Sequence, residues 1–199
     1  LVKPNDGVAL LFTPPFDSSQ PDPGYIRAYP PGLRENGGQY SHGAIWSVFA
    51  LAAQNRPNDA LALYHLLTPI NHALSEDEAA RYKVEPYVMV ADIYSVPPHV
   101  GRGGWTWYTG AAGWLYRAGI EALLGVTWEG DHVRVSVRLP SAWSGYSVKL
   151  QRGRSRLEIT VKRGGESQLQ SEYVEKVAES EWRIGLPSAG ELRQVELHA

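Results

Sequence analysis

The 199-residue sequence contains no cysteine. Disulfides, thiolate nucleophiles and cysteine–zinc sites are thereby excluded, and a reducing compartment is allowed. Neither sign of charge is in excess: Lys and Arg number 19 and Asp and Glu 21, for a formal net charge of −2. Nucleic-acid binders carry a clustered basic surface, so nucleic acid is not an expected partner. No apolar run approaches the length that crosses a bilayer, and the start of the chain lacks a basic segment followed by an apolar one. Phenylalanine is scarce, at three, whereas tryptophan numbers seven and tyrosine eleven. Rings with a polar handle stack on the C–H faces of sugars while their N–H or O–H groups bond to hydroxyls, and they serve equally well in a packed core.

The chain opens without an initiator methionine and reads as though it begins inside something larger. Val8, Leu10 and Phe12 alternate as a short extended segment, stopped by Pro14-Pro15. The stretch around which the chain is organised runs from Tyr25 to Trp46. Pro30, Pro31 and Gly32 forbid helix, and Glu35-Asn36-Gly37-Gly38 supplies polar groups beside glycines that let a backbone approach closely. From about Gln39 the spacing of Ile45, Trp46, Phe49, Ala50 and Ala53 predicts a helix, with His42 in its first turns. A helix start offers unpaired N–H donors and partial positive charge, which suits an anion or a cluster of sugar hydroxyls. The plainer reading, a glycine-containing loop around a buried structural histidine, is favoured on spacing alone.

A second helix carries Ala60, Leu63 and Leu67, and a third spans about Glu76 to Tyr82, with Ser75 and Glu78 spaced as a capping box. Glu85-Pro86-Tyr87 is expected to begin a further helix carrying Val88, Ala91 and Asp92. A second unusual loop, Ser95 to Gly104, sets three glycines around Arg102, and Trp105 and Trp107 come directly after it. The helix expected from Thr109 to Leu124 has small residues on several faces and should be buried all round, ending at Gly125. Between Gly125 and Trp128 the period changes to two. Val133, Val135 and Val137, then Tyr146, Val148 and Leu150, then Leu157, Ile159 and Val161, predict short strands of an antiparallel sheet or sandwich. The expected domains are 1–125 and 126–199.

The two loops could bring His42, Thr109 and Gly110 together with Arg34 or Arg102 around a divalent oxyanion. One helix end contributes only about 0.3–1 kcal/mol to an anion, so charged hydrogen bonds must add to it. Arg34 and Arg102 could equally form structural ion pairs with Glu35, Glu85 or Asp92. No His-x-x-x-His or Glu-x-x-His spacing supports a metal, and no Gly-x-Ser-x-Gly elbow supports a serine nucleophile. His65 and His132 read as surface or packing residues; His72 stays open.

Four motifs, Tyr-Pro-Pro-Gly-Leu-Arg-Glu-Asn-Gly-Gly-Gln-Tyr-Ser-His (29–42), Pro-Ile-Asn-His-Ala (69–73), Tyr-Lys-Val-Glu-Pro-Tyr-Val (82–88) and Pro-Pro-His-Val-Gly-Arg-Gly-Gly-Trp-Thr-Trp-Tyr-Thr-Gly-Ala-Ala-Gly-Trp (97–114), resemble the C-terminal part of family 94 glycoside phosphorylases. The resemblance is strongest to the phosphorylase-like end of cyclic β-1,2-glucan synthases and to β-1,2-oligoglucan phosphorylases; cellobiose and chitobiose phosphorylases are more distant. It implies an α+β multidomain fold, the C-terminal part of an (α/α)6 barrel followed by a small antiparallel β-sandwich domain. It implies inverting phosphorolysis of a β-glucan or oligosaccharide, with inorganic phosphate as co-substrate and no cofactor, releasing α-glucose 1-phosphate. His42, Thr109 and Gly110 would contact phosphate, and Glu35, Arg34, Arg102, Trp105 and Glu85 the sugar. The general acid would be an aspartate on an earlier barrel portion absent from this chain, so the chain alone is expected to be inactive. The alternative is a non-catalytic carbohydrate-binding or scaffold fragment that keeps Trp105, Trp107 and Tyr108 as sugar platforms. Ala91 stands where the disaccharide phosphorylases carry glutamine, which points away from cellobiose. A homodimer of the full enzyme, and a cytoplasmic location with or without tethering to the inner membrane through other parts, are compatible with the resemblance.

Overall fold

A computed structural model of the chain describes residues 1–165 and 172–198; residue 199, at the end of the expected second domain, lies outside the described residues. The fold is mixed α+β. Contacts divide the chain into two units, Leu1–Leu51 with Asp59–Ala118 and Ala52–Asn58 with Gly119–Ala199. Among the described residues no helix is long and apolar enough to cross a membrane.

In the first unit, β1 (Val2–Lys3) pairs antiparallel with β2 (Val8–Ala9). Two further two-residue strands, β3 (Gln39–Tyr40) and β4 (Asp92–Ile93), pair antiparallel as well. Around them lie α1 (Ser41–Ala53), α2 (Pro57–Leu67), α3 (Glu76–Tyr82) and α4 (Thr109–Arg117). α2 starts on a proline, whose missing N–H would have had no partner there, and buries Ala60, Leu63 and Leu67 at helical spacing. α3 carries the expected capping box: Glu78 donates its N–H to Ser75 Oγ at 3.3 Å, and the Glu78 carboxylate accepts from the Ser75 N–H at 3.0 Å. Val8, Leu10, Tyr82, Val90 and Ile93 pack together as a small core.

With so little sheet in this unit, buried amide side chains satisfy the loop backbone instead. Asn36 accepts from Phe16 N–H at 2.7 Å and donates to the Phe16 and Tyr29 carbonyls at 2.9 and 2.7 Å. Gln39 accepts from Ala9 N–H at 2.9 Å.

The structure corrects two expectations. Glu85-Pro86-Tyr87 starts no helix; the segment stays extended as far as β4 because its N–H groups are used across the chain. Ala91 N–H goes to the Trp105 carbonyl at 2.7 Å and Tyr94 N–H to the Arg102 carbonyl at 2.9 Å. The helix expected over 109–124 is α-helical only to Arg117 and continues as a π-helix over Ala118–Leu123. Nor is it buried all round: Ala111 is its buried residue, and a Cβ on Gly113 would meet nothing within 4 Å.

The second unit holds the strands that begin after Gly125, which sits at φ 69 where a Cβ would collide with the Ser136 carbonyl. β5 (Val126–Glu129), β6 (His132–Ser136), β7 (Gly145–Arg152), β8 (Ser155–Lys162), β9 (Val174–Ala178), β10 (Glu181–Gly185) and β11 (Leu192–His198) form sheets ordered β5-β6-β10-β9 and β11-β8-β7. Side chains from both sheets, including Val135, Trp182 and Ile184 with Leu157, Ile159 and Leu197, share one core. Each such fully buried aliphatic contributes roughly 1.5–3 kcal/mol. The expectation of purely antiparallel pairing fails at β11, which runs parallel to β8. The chain leaves β8, makes β9 and β10 in the other sheet, and re-enters beside β8 in the same direction. Alternation of apolar residues carries no information on strand direction.

His72, the histidine left open by the sequence, is buried in a 3-10 turn and stacks on Tyr82, ring centroids 4.8 Å apart at 13°. Its Nε2 has no hydrogen-bond partner among the described residues. Burial holds the imidazole below its ordinary value of 6.5. The unfolded chain therefore binds the proton first, and stability contributed by neutral His72 is full above pH 6.5 and falls as pH drops through that value toward the folded one. We expect His72→Phe, which keeps the ring stack, to lose part of the decline in unfolding free energy between pH 7.5 and 5.5. Urea unfolding at both pH values measures this, and identical pH dependence in the two proteins would contradict it.

Candidate functional site

β3 and β4 place Tyr40 directly opposite Asp92, so the two unusual loops meet along one short ladder. The Ser41 N–H continues the contact to the Ala91 carbonyl at 2.9 Å, and on the far side of β4 the Gly104 N–H reaches the Asp92 carbonyl at 2.9 Å. Asp92 is 3% exposed. Its Oδ2 accepts the Arg34 N–H of the first loop at 3.3 Å, and the carboxylate also accepts the Trp105 N–H of the second. Burial pushes the Asp92 carboxyl above the usual carboxylate range, with those two N–H groups and the Arg34 charge pulling the other way. One buried carboxylate thus joins both loops.

Arg34 itself sits at φ 44, a left-handed conformation that costs an ordinary residue roughly 1–2 kcal/mol. Among the described residues its guanidinium makes none of the structural ion pairs considered from sequence. It lies 5.8 Å from the ring centres of both Tyr29 and Trp105, within range of a cation–π attraction. Trp105 is 69% exposed. With Glu85 it lines an open cleft of about 780 Å³ that also touches Lys83, Tyr87, Gly104 and Thr106. Glu35 is half-buried beside this cluster and acts electrostatically on both Asp92 and Tyr40. Its Oε2 is buried without a hydrogen-bond partner among the described residues, which is costly for a carboxylate oxygen and leaves an acceptor available. Trp107, also left-handed at φ 59, lines a different and largely apolar cleft of about 490 Å³ with Tyr87 and Thr109.

His42 enters in the first turn of α1. Rings surround it: Tyr40 nearly parallel at 6.2 Å and 14°, Trp46 edge-on at 5.3 Å, and Trp114 of α4 at 6.0 Å. Its remaining neighbour is the start of α4. A Cβ on Gly110 would lie 3.6 Å from His42 Nδ1, so the imidazole faces the helix end whose first N–H groups have no partner within the helix. Tyr108, the residue before α4, bonds its hydroxyl to that of Tyr40 at 3.1 Å. That bond, ahead of burial, pushes the Tyr40 phenol up to about 12.

Of the residues singled out from sequence, the structure brings together His42 and Gly110, with Thr109 adjoining, and separately Arg34 with Trp105 and Glu85 with Trp105. Glu35 lies between the two groups through its influence on Tyr40 and Asp92. Arg102 does not join them: it is exposed, and its backbone closes the turn from His99 to Tyr94. Sequence reasoning gave Tyr40 no role, and it missed how Asp92 and Tyr108 join the loops. The one local hint was Gly104, whose lack of a side chain makes room for Asp92: a Cβ there would fall 2.4 Å from Asp92 Oδ1.

A family model described as "Glycosyl hydrolase 94 superfamily, catalytic domain" matches residues 1–125. The chain is 52% identical over 84% of its length to the cyclic β-(1,2)-glucan synthase NdvB of Rhizobium meliloti, of which the match spans 6%. It is 33% identical over 69% of its length to an N,N'-diacetylchitobiose phosphorylase of Vibrio furnissii and 30% identical over 70% to the solabiose phosphorylase of Paenibacillus borealis. The match covers 17% and 18% of those two relatives.

Gly104→Ala forces its methyl into the Asp92 carboxylate. We expect a loss of about 1–3 kcal/mol in unfolding free energy, read as a lower urea midpoint at unchanged slope. An unmoved midpoint would show that Asp92 is not held as described.

Proposed function

Because the chain belongs to the glycosyl hydrolase 94 superfamily, whose relatives here are phosphorylases and a glucan synthase, we propose that it is the C-terminal portion of an inverting phosphorylase of β-glucosides. In this reading α1 to α4 belong to an (α/α)6 barrel and β5 to β11 to the β-sandwich that comes after it. The observation that carries the reading is the imidazole of His42 set against the open start of α4 at Gly110.

The chemistry assigns each group a task. An inverting hydrolase needs one carboxyl group as acid and a second as base to activate water. Phosphate is already an anionic nucleophile and needs no base. One of its oxygens attacks the anomeric carbon from the face opposite the glycosidic oxygen. As that bond forms, the bond from the anomeric carbon to the glycosidic oxygen breaks, and the departing oxygen keeps the electron pair and takes a proton from the acid. Inversion of a β-glucoside gives α-glucose 1-phosphate. The acid is an aspartate supplied from outside these residues. This chain holds the nucleophile: the His42 imidazole, the Thr109 hydroxyl and the Gly110 N–H form hydrogen bonds to phosphate, reinforced by the helix end. Glu35 Oε2, buried and unpartnered among the described residues, accepts from sugar hydroxyls. Trp105 stacks on the pyranose, with Arg34, Glu85 and, at the rim, Arg102 bonding to its hydroxyls. The match to the cyclic β-(1,2)-glucan synthase supports a β-1,2-linked glucan as the substrate.

The exposed Trp105 and Trp107 also suit a carbohydrate-binding fragment without chemistry, and such a module would be indifferent to phosphate. Gly110→Ala separates the two. Its methyl makes only ordinary contact with His42, and alanine is the better helix former, so folding should hold or gain up to about 1 kcal/mol. The methyl nevertheless occupies the space between imidazole and helix end. Calorimetric titration with inorganic phosphate should show binding by the native chain and at least about tenfold weaker binding by the variant, the equivalent of one lost charged hydrogen bond. Equal phosphate affinity in both proteins, or none in either, would refute the site.

A further inference from the structure

We propose that Tyr40 and Tyr108 act as one positioning pair, their mutual hydroxyl bond setting the gap between the His42 imidazole and the start of α4 in which the oxyanion is held. The inference rests on the phosphate-binding reading above and adds to it two residues that touch neither sugar nor phosphate in that scheme.

His42 lies two residues after Tyr40, and Thr109 and Gly110 lie one and two residues after Tyr108. The two halves of the anion pocket therefore come from chain segments far apart in sequence, and Tyr40 and Tyr108, 68 positions apart, join their hydroxyls at 3.1 Å. The Tyr40 ring is also the one lying nearly parallel to His42, at 14°, and it meets the Tyr108 ring at 6.4 Å and 59°. Moving either phenol shifts the imidazole or the helix end relative to the other. Other elements fix each side separately: β3 is held by β4, and Tyr108 N–H is held by the Met89 carbonyl at 2.9 Å. The hydroxyl pair adds a direct side-chain tie across the pocket. The raised ionisation of Tyr40, caused first by Tyr108, agrees with a bond that persists rather than an incidental approach. A tetrahedral oxyanion shared between an imidazole and backbone N–H groups tolerates little error in their separation, since hydrogen bonds weaken steeply away from their best distance and angle.

Removing either hydroxyl while keeping its ring tests this. Tyr40→Phe, Tyr108→Phe and the double variant are prepared in the full chain, and inorganic phosphate is titrated calorimetrically. The His42 ring resonances are followed by NMR in the same titrations. Each single variant should bind phosphate about fivefold to tenfold more weakly. The double variant should be no weaker than the worse single one, because both changes break one bond. The His42 resonances should still move on phosphate addition, and urea midpoints will show whether the variants remain folded. Phosphate affinity within about twofold of the native chain in both single variants would overturn the pairing, as would losses that add fully in the double variant. If the native chain itself binds no phosphate, the functional reading fails first and the pair has no anion to position.

Discussion

The structure of the first unit depends on a contact of four residues: Gln39 and Tyr40 against Ile93 and Asp92. A ladder so short could not stand by itself in water. It holds because Asp92 carries it further, through a buried carboxylate that accepts N–H groups from Arg34 and Trp105. The carboxylate is taken out of water at a cost, and its charged hydrogen bonds offset part of that cost. The return is geometrical. The loop bearing Arg34 and Glu35, the extended segment bearing Trp105 and the helix bearing His42 are all registered to one residue pair.

Glycine does two different jobs around this junction. At Gly103 and Gly104 an added Cβ would meet Val84 at 2.2 Å and Asp92 at 2.4 Å, so the absence of a side chain is a condition of folding. At Gly110 an added Cβ would stand 3.6 Å from the His42 ring, a distance that packing accepts. Here the empty space belongs to the pocket rather than to the core, and only the chemistry of a ligand accounts for keeping it open. The same distinction separates Asn36, whose three hydrogen bonds are spent on the Phe16 and Tyr29 backbone, from its neighbour Glu35, which keeps a buried oxygen unspent among the described residues.

Much of this was legible in the chain. Signals confined to a few neighbouring residues survived: the Ser75–Glu78 box, the α2 stripe, Gly125 ahead of the first long strand. Glu85 to Asp92 was misread because a proline followed by apolar residues fits the first turn of a helix as well as a strand. The outcome was decided by partners near Trp105, which no local rule sees. β11 was misread in direction for the same reason, since its partner β8 lies across two intervening strands of another sheet. In the site, His42, Thr109 and Gly110 were found through motif resemblance rather than spacing. The joining roles of Tyr40, Asp92 and Tyr108 were missed because their contacts span 58 and 68 residues and leave no pattern in sequence.

Everything functional turns on an oxyanion sitting between His42 and the first N–H groups of α4. Crystals soaked in tungstate, a tetrahedral phosphate analogue with a strong anomalous signal, test this directly. We expect an anomalous peak within hydrogen-bond distance of the His42 imidazole and of the Thr109 and Gly110 backbone. A pocket empty of tungstate, with the anion bound only at exposed arginines elsewhere, would contradict it.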